Sequence, residues 1–428
     1  MSTTADSLPQ LPVPRTGTSP FAVASIIVSM SMIALANGLM FAYVPVKLAA
    51  IGEASWVAGA VVTGLAGGGL VGCLATGHII RRVGHARTFV FLAALVTLSI
   101  MVLAIGEHAW IWIASRTITG AAITGLFVVA QSWLNDASSN DVRGRVVAVF
   151  YMAYVLCIGI GAYFLRFVTL DSLGAVMLSA VLATLAILPV ATTRLPLPPP
   201  PEAVNVALRA VWRISPVGLA GLLTVGGMTM LVQGFAPIYM AAIGYGKDDI
   251  ATLLFLMQFG MLVVQLPLGA LSDRIDRRYV LVVACVLVVG CAFGAASLSS
   301  VPLWAWITLF GLWGGATETI FAVANAHAND RADPTAYVAV SSTLLIAWSL
   351  SGAVLPALTT VLTELTEPRA FMYVVAVTGT LYGLFVVYRM FRKEPTAEPE
   401  QEPFQPISAQ APHYAELGPL PPEESSAS

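Results

Sequence analysis

Charge is what this chain has least of. Lys, Arg, Asp and Glu make up only 10% of its 428 residues, against 57% hydrophobic, so a water-soluble surface cannot be assembled from it. The formal net charge of −2 offers no basic field for nucleic acid, and no such partner is expected. Cysteine is scarce too. Cys73, Cys157, Cys285 and Cys291 all fall in apolar runs, without CxxC spacing or a neighbouring His cluster, and read as small packing residues rather than disulfide or metal ligands. His78 and His327 flank loop regions without ligand partners, so no metal or other cofactor is expected. No Ser/His dyad, paired Asp or metal triad occurs in the apolar runs, which argues against an intramembrane enzyme. Gly64, Gly67, Gly68, Gly69 and Gly72 lack the Lys-Ser/Thr pair of a phosphate loop and point instead to close helix packing. No cleavable leader is expected either, because the first 20 residues are polar and the apolar stretch from Phe21 is too long for a signal core.

What is present is apolar length. A spanning helix needs roughly 20 mostly apolar residues. Windows of that size recur near 21–46, 54–79, 88–106, 109–134, 145–168, 171–193, 216–242, 249–272, 279–299, 302–326, 335–362 and 368–389. The expected fold class is therefore an all-α polytopic membrane protein with 12 transmembrane helices. A cytoplasmic N-terminus puts 16 of the 21 basic residues on the inner side, leaving Lys47, Arg116, Arg166, Lys247 and Arg369, and so places both termini in the cytoplasm. The expected division is a disordered segment 1–20, a six-helix bundle 21–193, a cytoplasmic linker 194–215, a second six-helix bundle 216–391 and a disordered acidic tail 392–428. The linker opens on a polyproline run from Leu195 to Pro201, after which Val204, Leu208, Val211 and Trp212 suit a short surface helix. Trp133, Trp304, Trp306 and Trp348 are read as interfacial anchors, with Trp348 and Phe41 also candidates for contact with an apolar solute.

The chain also repeats itself. VPVKLAAIG at 44–52 returns as APIYMAAIG at 236–244, a shift of 192 positions from Pro45 to Pro237. GHIIRR at 77–82 matches GALSDR at 269–274 with the same shift, and FVVAQSWLND at 127–136 matches FAVANAHAND at 321–330 with a shift of 194. A period that long is half a protein, so the two halves are expected to be related in space as parallel repeats.

Ionisable groups deep in a bilayer are costly and mark pathways. Only one acid qualifies: Glu318, well inside the tenth span, with Thr124 at the matching position of the fourth. Gln131 and Asn325 form a second matched pair, each seven residues along the same helix face. Glu318 is either a proton-titrating or cation-binding group, or a neutral acid hydrogen-bonded to Thr124, Thr317 or Asn325 that fixes packing. Arg116, near the outer edge of the fourth span, either lowers the pKa of a nearby carboxylate, binds an anionic group, or snorkels to the interface.

Twelve spans split six and six, with the loop GALSDRIDRR at 269–278 after the second span of the second half, resemble the major facilitator superfamily over about 21–389. Asn135-Asp136 followed by Arg143-Gly144-Arg145, together with Ala326 to Arg331, resembles a mostly uncharacterised bacterial branch in which Glu tends to stand where this chain has Gln131. The resemblance implies a secondary transporter in the bacterial inner membrane that moves a small organic solute by alternating access. Proton coupling and facilitative uniport are both compatible with it, and a transporter-like sensor or assembly factor is the reading from another class. The implied partners are a small-molecule substrate, protons if coupling holds, and the lipid bilayer, with the protein acting as a monomer. In the family the first, fourth, seventh and tenth helices line the cavity, which adds Asn37 and Phe41 opposite Thr229 and Gln233, near breaks expected at Pro45 and Pro237. Arg116-Thr-Ile-Thr-Gly120 resembles a basic motif of proton-coupled exporters. The family's loop Asp ties one half to an Arg at the start of the fifth helix of the other. Here Asp273, followed by Arg274, faces Arg143 or Arg145, while the first copy carries Arg81 in place of Asp, and Tyr337 and Ala339 in place of the two arginines. The resemblance thus implies one asymmetric gate, with Gly77 and Gly269 allowing close helix approach; the alternative is solvated loop charges worth ~0–1 kcal/mol.

Overall fold

The computed structural model describes residues 19–195, 198, 206–298, 301–333 and 336–392. Helices follow wherever the apolar windows run: α1 (Pro20–Ala50), α2 (Ser55–Val83), α3 (His85–Val102), α4 (Ala109–Ala137), α5 (Asn140–Tyr163), α6 (Gly174–Leu185), α7 (Ile187–Thr192), α8 (Leu208–Ile214), α9 (Pro216–Ala242), α10 (Lys247–Ser272), α11 (Arg277–Ser297), α12 (Leu303–Asn329), α13 (Tyr337–Leu365) and α14 (Ala370–Met390). A 3-10 turn, Phe164–Phe167, extends α5. Counting α6 with α7 as one span, 12 segments among the described residues are long and apolar enough to cross a membrane, as expected. The expected disordered ends and most of the polyproline run lie outside the described residues.

Prolines decide where these helices begin and break. Pro20 and Pro216 occupy the first turns of α1 and α9, where a missing N–H loses nothing. Pro189 separates α6 from α7: it cannot donate to the carbonyl of Leu185, and α6 ends at that residue. Pro45 and Pro237 behave otherwise. Breaks were expected there, but α1 and α9 run through them to Ala50 and Ala242. Within a bundle, neighbouring helices hold the backbone in place, so loss of one amide bends the helix without ending it.

The repeated AAIG phrase is a helix stop. Gly52 and Gly244 take φ of 74° and 92°, a conformation that only glycine adopts readily. The amides one residue later reach back five positions, Glu53 N to Leu48 O at 3.1 Å and Tyr245 N to Met240 O at 3.0 Å, satisfying carbonyls that the helix end leaves open.

Packing within the halves repeats as the sequence does: α2 lies on α4 as α10 lies on α12, and α1 on α5 as α9 on α13. On α2, Gly64, Gly68 and Gly72 follow one another by single turns and meet Thr117 and Ala121 of α4, while Gly120 of α4 meets the backbone of Leu65. The halves touch along two equivalent seams, α2 with α13 and α5 with α10, and α1 meets α9 between them. Two faces follow, the linker face, where α1 begins and α8 lies, and the opposite face. At the opposite face the halves are held together. Lys247 Nζ donates to the carbonyls of Leu165 (3.3 Å) and Arg166 (2.9 Å), Arg166 Nη1 donates to Thr252 Oγ1 (3.3 Å), and Tyr163 packs on Phe255 with ring centroids 5.1 Å apart. Gly59 of α2 sits directly against the Thr360 side chain of α13.

Of the surface helix expected in the linker, Leu208, Val211 and Trp212 fall in α8, and Val204 lies outside the described residues. Val211 is fully buried, Trp212 stacks on Phe385 of α14, and Ala207 N donates to Thr343 Oγ1 of α13 at 2.9 Å. Of the tryptophans expected at the interfaces, Trp304 is exposed, whereas Trp133, Trp306 and Trp348 are buried against aromatic neighbours, Phe89 for the first, Tyr239 with Phe310 for the second and Phe321 for the third. The four cysteines are free thiols.

Candidate central cavity and the charged layer at the linker face

Between the halves lies a cavity of about 80 Å³. An engineered cavity of about 150 Å³ takes up benzene, so this space is small for an organic solute. Asn37 and Phe41 of α1, Thr124 of α4 and Gln233 of α9 line it, as the sequence suggested. Trp348, also named as a candidate solute contact, belongs to the wall as well, but its other residues were not foreseen. Tyr154 and Ile158 come from α5, Gly69 from α2, and Trp348, Ser349 and Gly352 from α13, whereas no residue of α12 belongs to the lining. Glu318, Gln131, Thr229 and Asn325, expected on the pathway, are buried and do not belong to the lining. The reason is the direction each residue faces. Gln131 turns into the first half and donates Nε2 to Tyr151 Oη at 2.6 Å, and α12 packs against α10, α11 and α9 instead of crossing to the other half.

The lining has a polar side and an apolar side. Asn37 hydrogen-bonds Tyr154 and accepts from Arg116 Nη2 at 3.3 Å, so α1, α5 and α4 are joined at that point. Across the cavity Gln233 Oε1 accepts from Gln258 Nε2 at 3.3 Å, and its own Nε2 meets Met261 Sδ at 3.4 Å. Three lining residues, Phe41, Gln233 and Gly352, stand four positions before Pro45, Pro237 and Pro356. None of their carbonyls can receive the usual helical amide. The two repeats share this relationship for Phe41 and Gln233.

Arg116 does not snorkel. Its residue is 2% exposed, its guanidinium carbon lies 5.5 Å from the Phe41 ring centroid, and it lines a second, smaller cavity between α1, α2 and α9.

At the linker face, Asp273, Arg274, Arg81 and Arg145 are exposed, Gly269 is buried, Gly77 is half-buried, and Arg143 Nη2 donates to the Ser138 carbonyl at 3.3 Å. The side chain of Tyr337 lies outside the described residues. The loop after α10 also contains a joint that sequence reasoning missed. Arg277 pairs with Asp330 at the end of α12, both side chains 1% exposed, and Arg278 closes on Asp276 with Nη2 2.6 Å from Oδ2. Burial pushes the Asp276 carboxyl up, but hydrogen bonds from the Arg278 side chain and amide, with the charges of Arg278 and Arg331, outweigh it and hold the group below its ordinary 3.8. The repeat carried the signal. Shifts of 192 and 194 put His85 and Asp136 at the places of Arg277 and Asp330, and there Asp136 acts electrostatically on a buried His85 that packs 6.3 Å from the Trp133 ring.

Known proteins share this architecture. The profile of the Major Facilitator Superfamily matches residues 20–246 and 217–417. An uncharacterized MFS-type transporter of Enterobacter sp. (strain 638) is 26% identical over 382 residues, 87% of this chain and 97% of that protein. Among solved structures, a mutant of the nucleoside transporter NupG superposes with a TM-score of 0.72 at 10% identity, covering 86% of this chain and 100% of the other. A D-xylose-proton symporter gives 0.61 at 12% identity, covering 86% and 97%.

Proposed function

The chain belongs to the Major Facilitator Superfamily, and on that premise we propose that it carries a small organic solute across the bacterial inner membrane by alternating access, with both termini in the cytoplasm. The observation that carries this reading is the cavity between the halves, with polar groups from each half and closing contacts at the opposite face supplied by Lys247, Arg166 and Gly59. A site reached by separating two rigid bundles at one face and then the other is what alternating access requires. Few charges reach the wall, which suits a neutral or amphipathic solute better than a multivalent anion. The nucleoside and xylose transporters among its structural neighbours handle small organic molecules, which supports the same solute class.

Coupling to protons falls to Glu318, 3% exposed on α12 and able to report protonation to α9 and α10 through packing. A proton symporter of the same fold supports this coupling. At the linker face Asp273 acts with Arg143 or Arg145 as the inner gate. The test is a thermal-shift ligand screen followed by counterflow in proteoliposomes with each hit. Saturable exchange is expected. Tight binding without flux would overturn transport in favour of a sensor or assembly factor, and flux indifferent to a pH jump would replace coupling with uniport.

A further inference from the structure

Arg116 holds a positive charge for which the described residues supply no counter-charge. Its two neighbours are Asn37, through Nη2 to Oδ1 at 3.3 Å, and the face of Phe41. Nη1 has no hydrogen-bond partner, and among the described residues no carboxylate lies within ion-pair distance of this guanidinium. A guanidinium keeps its proton when buried, and an isolated buried charge is among the most expensive groups a protein can hold. The anion that completes it therefore comes from outside the chain.

The surroundings say where that anion sits. The smaller cavity that Arg116 lines is otherwise apolar and shares Phe41 and Leu65 with the central cavity, so the two spaces adjoin across those side chains. Phe41 covers one face of the guanidinium, Asn37 holds one edge, and Nη1 is buried and unpaired. From the other side of Phe41 the central wall presents Ile123, Met230 and Trp348. The geometry points to a solute-binding subsite in which Arg116 takes the carboxylate of an amphipathic monocarboxylate whose apolar body lies against Ile123, Met230 and Trp348. A single guanidinium balances one negative charge, which favours a monoanion over a phosphate monoester. This assignment rests on the transport reading and narrows its substrate class.

Paired probes test it. Hexanoate and 3-phenylpropanoate, each beside its primary amide and a chloride control, are titrated at pH 7 against purified wild type and the R116Q and R116K variants, with melting temperature as the readout. At least one acid raises the wild-type midpoint, while its amide and chloride do not. R116Q weakens the acid at least tenfold and abolishes the preference for acid over amide, and R116K, which keeps charge but loses the fork, weakens it at least threefold. Equal shifts from acid and amide, a chloride shift as large as the acid's, no shift from either acid, or a preference that survives R116Q overturns the assignment. If R116Q does not purify as folded protein, unchanged affinity in R116K does so. Saturable flux of an uncharged solute that ignores Arg116 would leave transport standing and remove this subsite. Binding of the acid through Arg116 without flux would do the reverse.

Discussion

Arg277 and Asp330 form a two-point ion pair, Nε to Oδ2 at 2.7 Å and Nη2 to Oδ1 at 3.1 Å, that pins the start of α11 to the end of α12. Both side chains are 1% exposed, so neither charge has water to fall back on. In the first half His85 and Asp136 occupy the same places, and there the acid is exposed.

Removing one partner of a buried pair leaves the other stranded, which costs about 3–5 kcal/mol. Asp330→Asn is therefore expected to lower the melting temperature far more than Asp136→Asn does. Thermal unfolding of the two variants in the same detergent checks this, and equal losses would mean that the Arg277–Asp330 pair contributes no more than a surface contact.

The linker-face loop carries a pH dependence of known sign. Asp276 is held below its ordinary 3.8 in the folded protein, so its contribution is present above that value and disappears as the pH falls through the lower, folded value. Asp276→Asn should be less stable than wild type at neutral pH, with the difference shrinking in acid. A series of melting curves from pH 7 downward tests the convergence; a gap that stays constant would assign the effect to packing.

Glu318→Gln keeps the shape of the side chain and removes its titration. Under the coupling proposal, uphill accumulation driven by a pH gradient falls at least tenfold while downhill exchange persists. Proteoliposome flux with and without the gradient separates the two. Identical behaviour of variant and wild type would leave Glu318 as a packing group in α12.

Access to the two faces can be biased from either end. Valine at position 59 has no room against Thr360, so Gly59→Val is expected to loosen the opposite face and make residues there more reactive to a membrane-impermeant maleimide. Asp273→Asn is expected to loosen the linker face instead. Labelling of single-cysteine reporters at the two faces reads the distribution, and an unchanged pattern for Asp273→Asn would remove it from the gate.

The twelve spans were legible because bilayer thickness fixes their length and apolar composition marks them without help from tertiary contacts. The AAIG repeat was legible as duplication, and its meaning as a helix stop lies in Gly52 and Gly244 alone. The cavity wall was less so. Trp348 was named by its chemistry, but nothing in the sequence of α13 set Ser349 and Gly352 apart from its other small and polar residues as the ones facing the cavity. Glu318 stood out by chemistry, but burial within a bundle and exposure to a cavity look the same in sequence. Arg116 turned inward for a similar reason: its direction depends on a rotation of α4 that Gly68, Gly72 and Gly120 set through close packing with α2. The Arg277–Asp330 pair became visible only once contacts were known, although the repeat had already aligned Asp330 with Asp136.

That packing between α2 and α4 has a mechanical side. Gly64, Gly68 and Gly72 bring the two backbones together over two turns, about 12 Å of helix axis. Rods in such close register cannot slide past one another without lifting apart, so the pair resists shear and bends as one beam. Since α2 also forms the seam with α13, the glycines tie that seam to α4, the helix that carries Arg116 and Thr124, and so stiffen a wall they never touch.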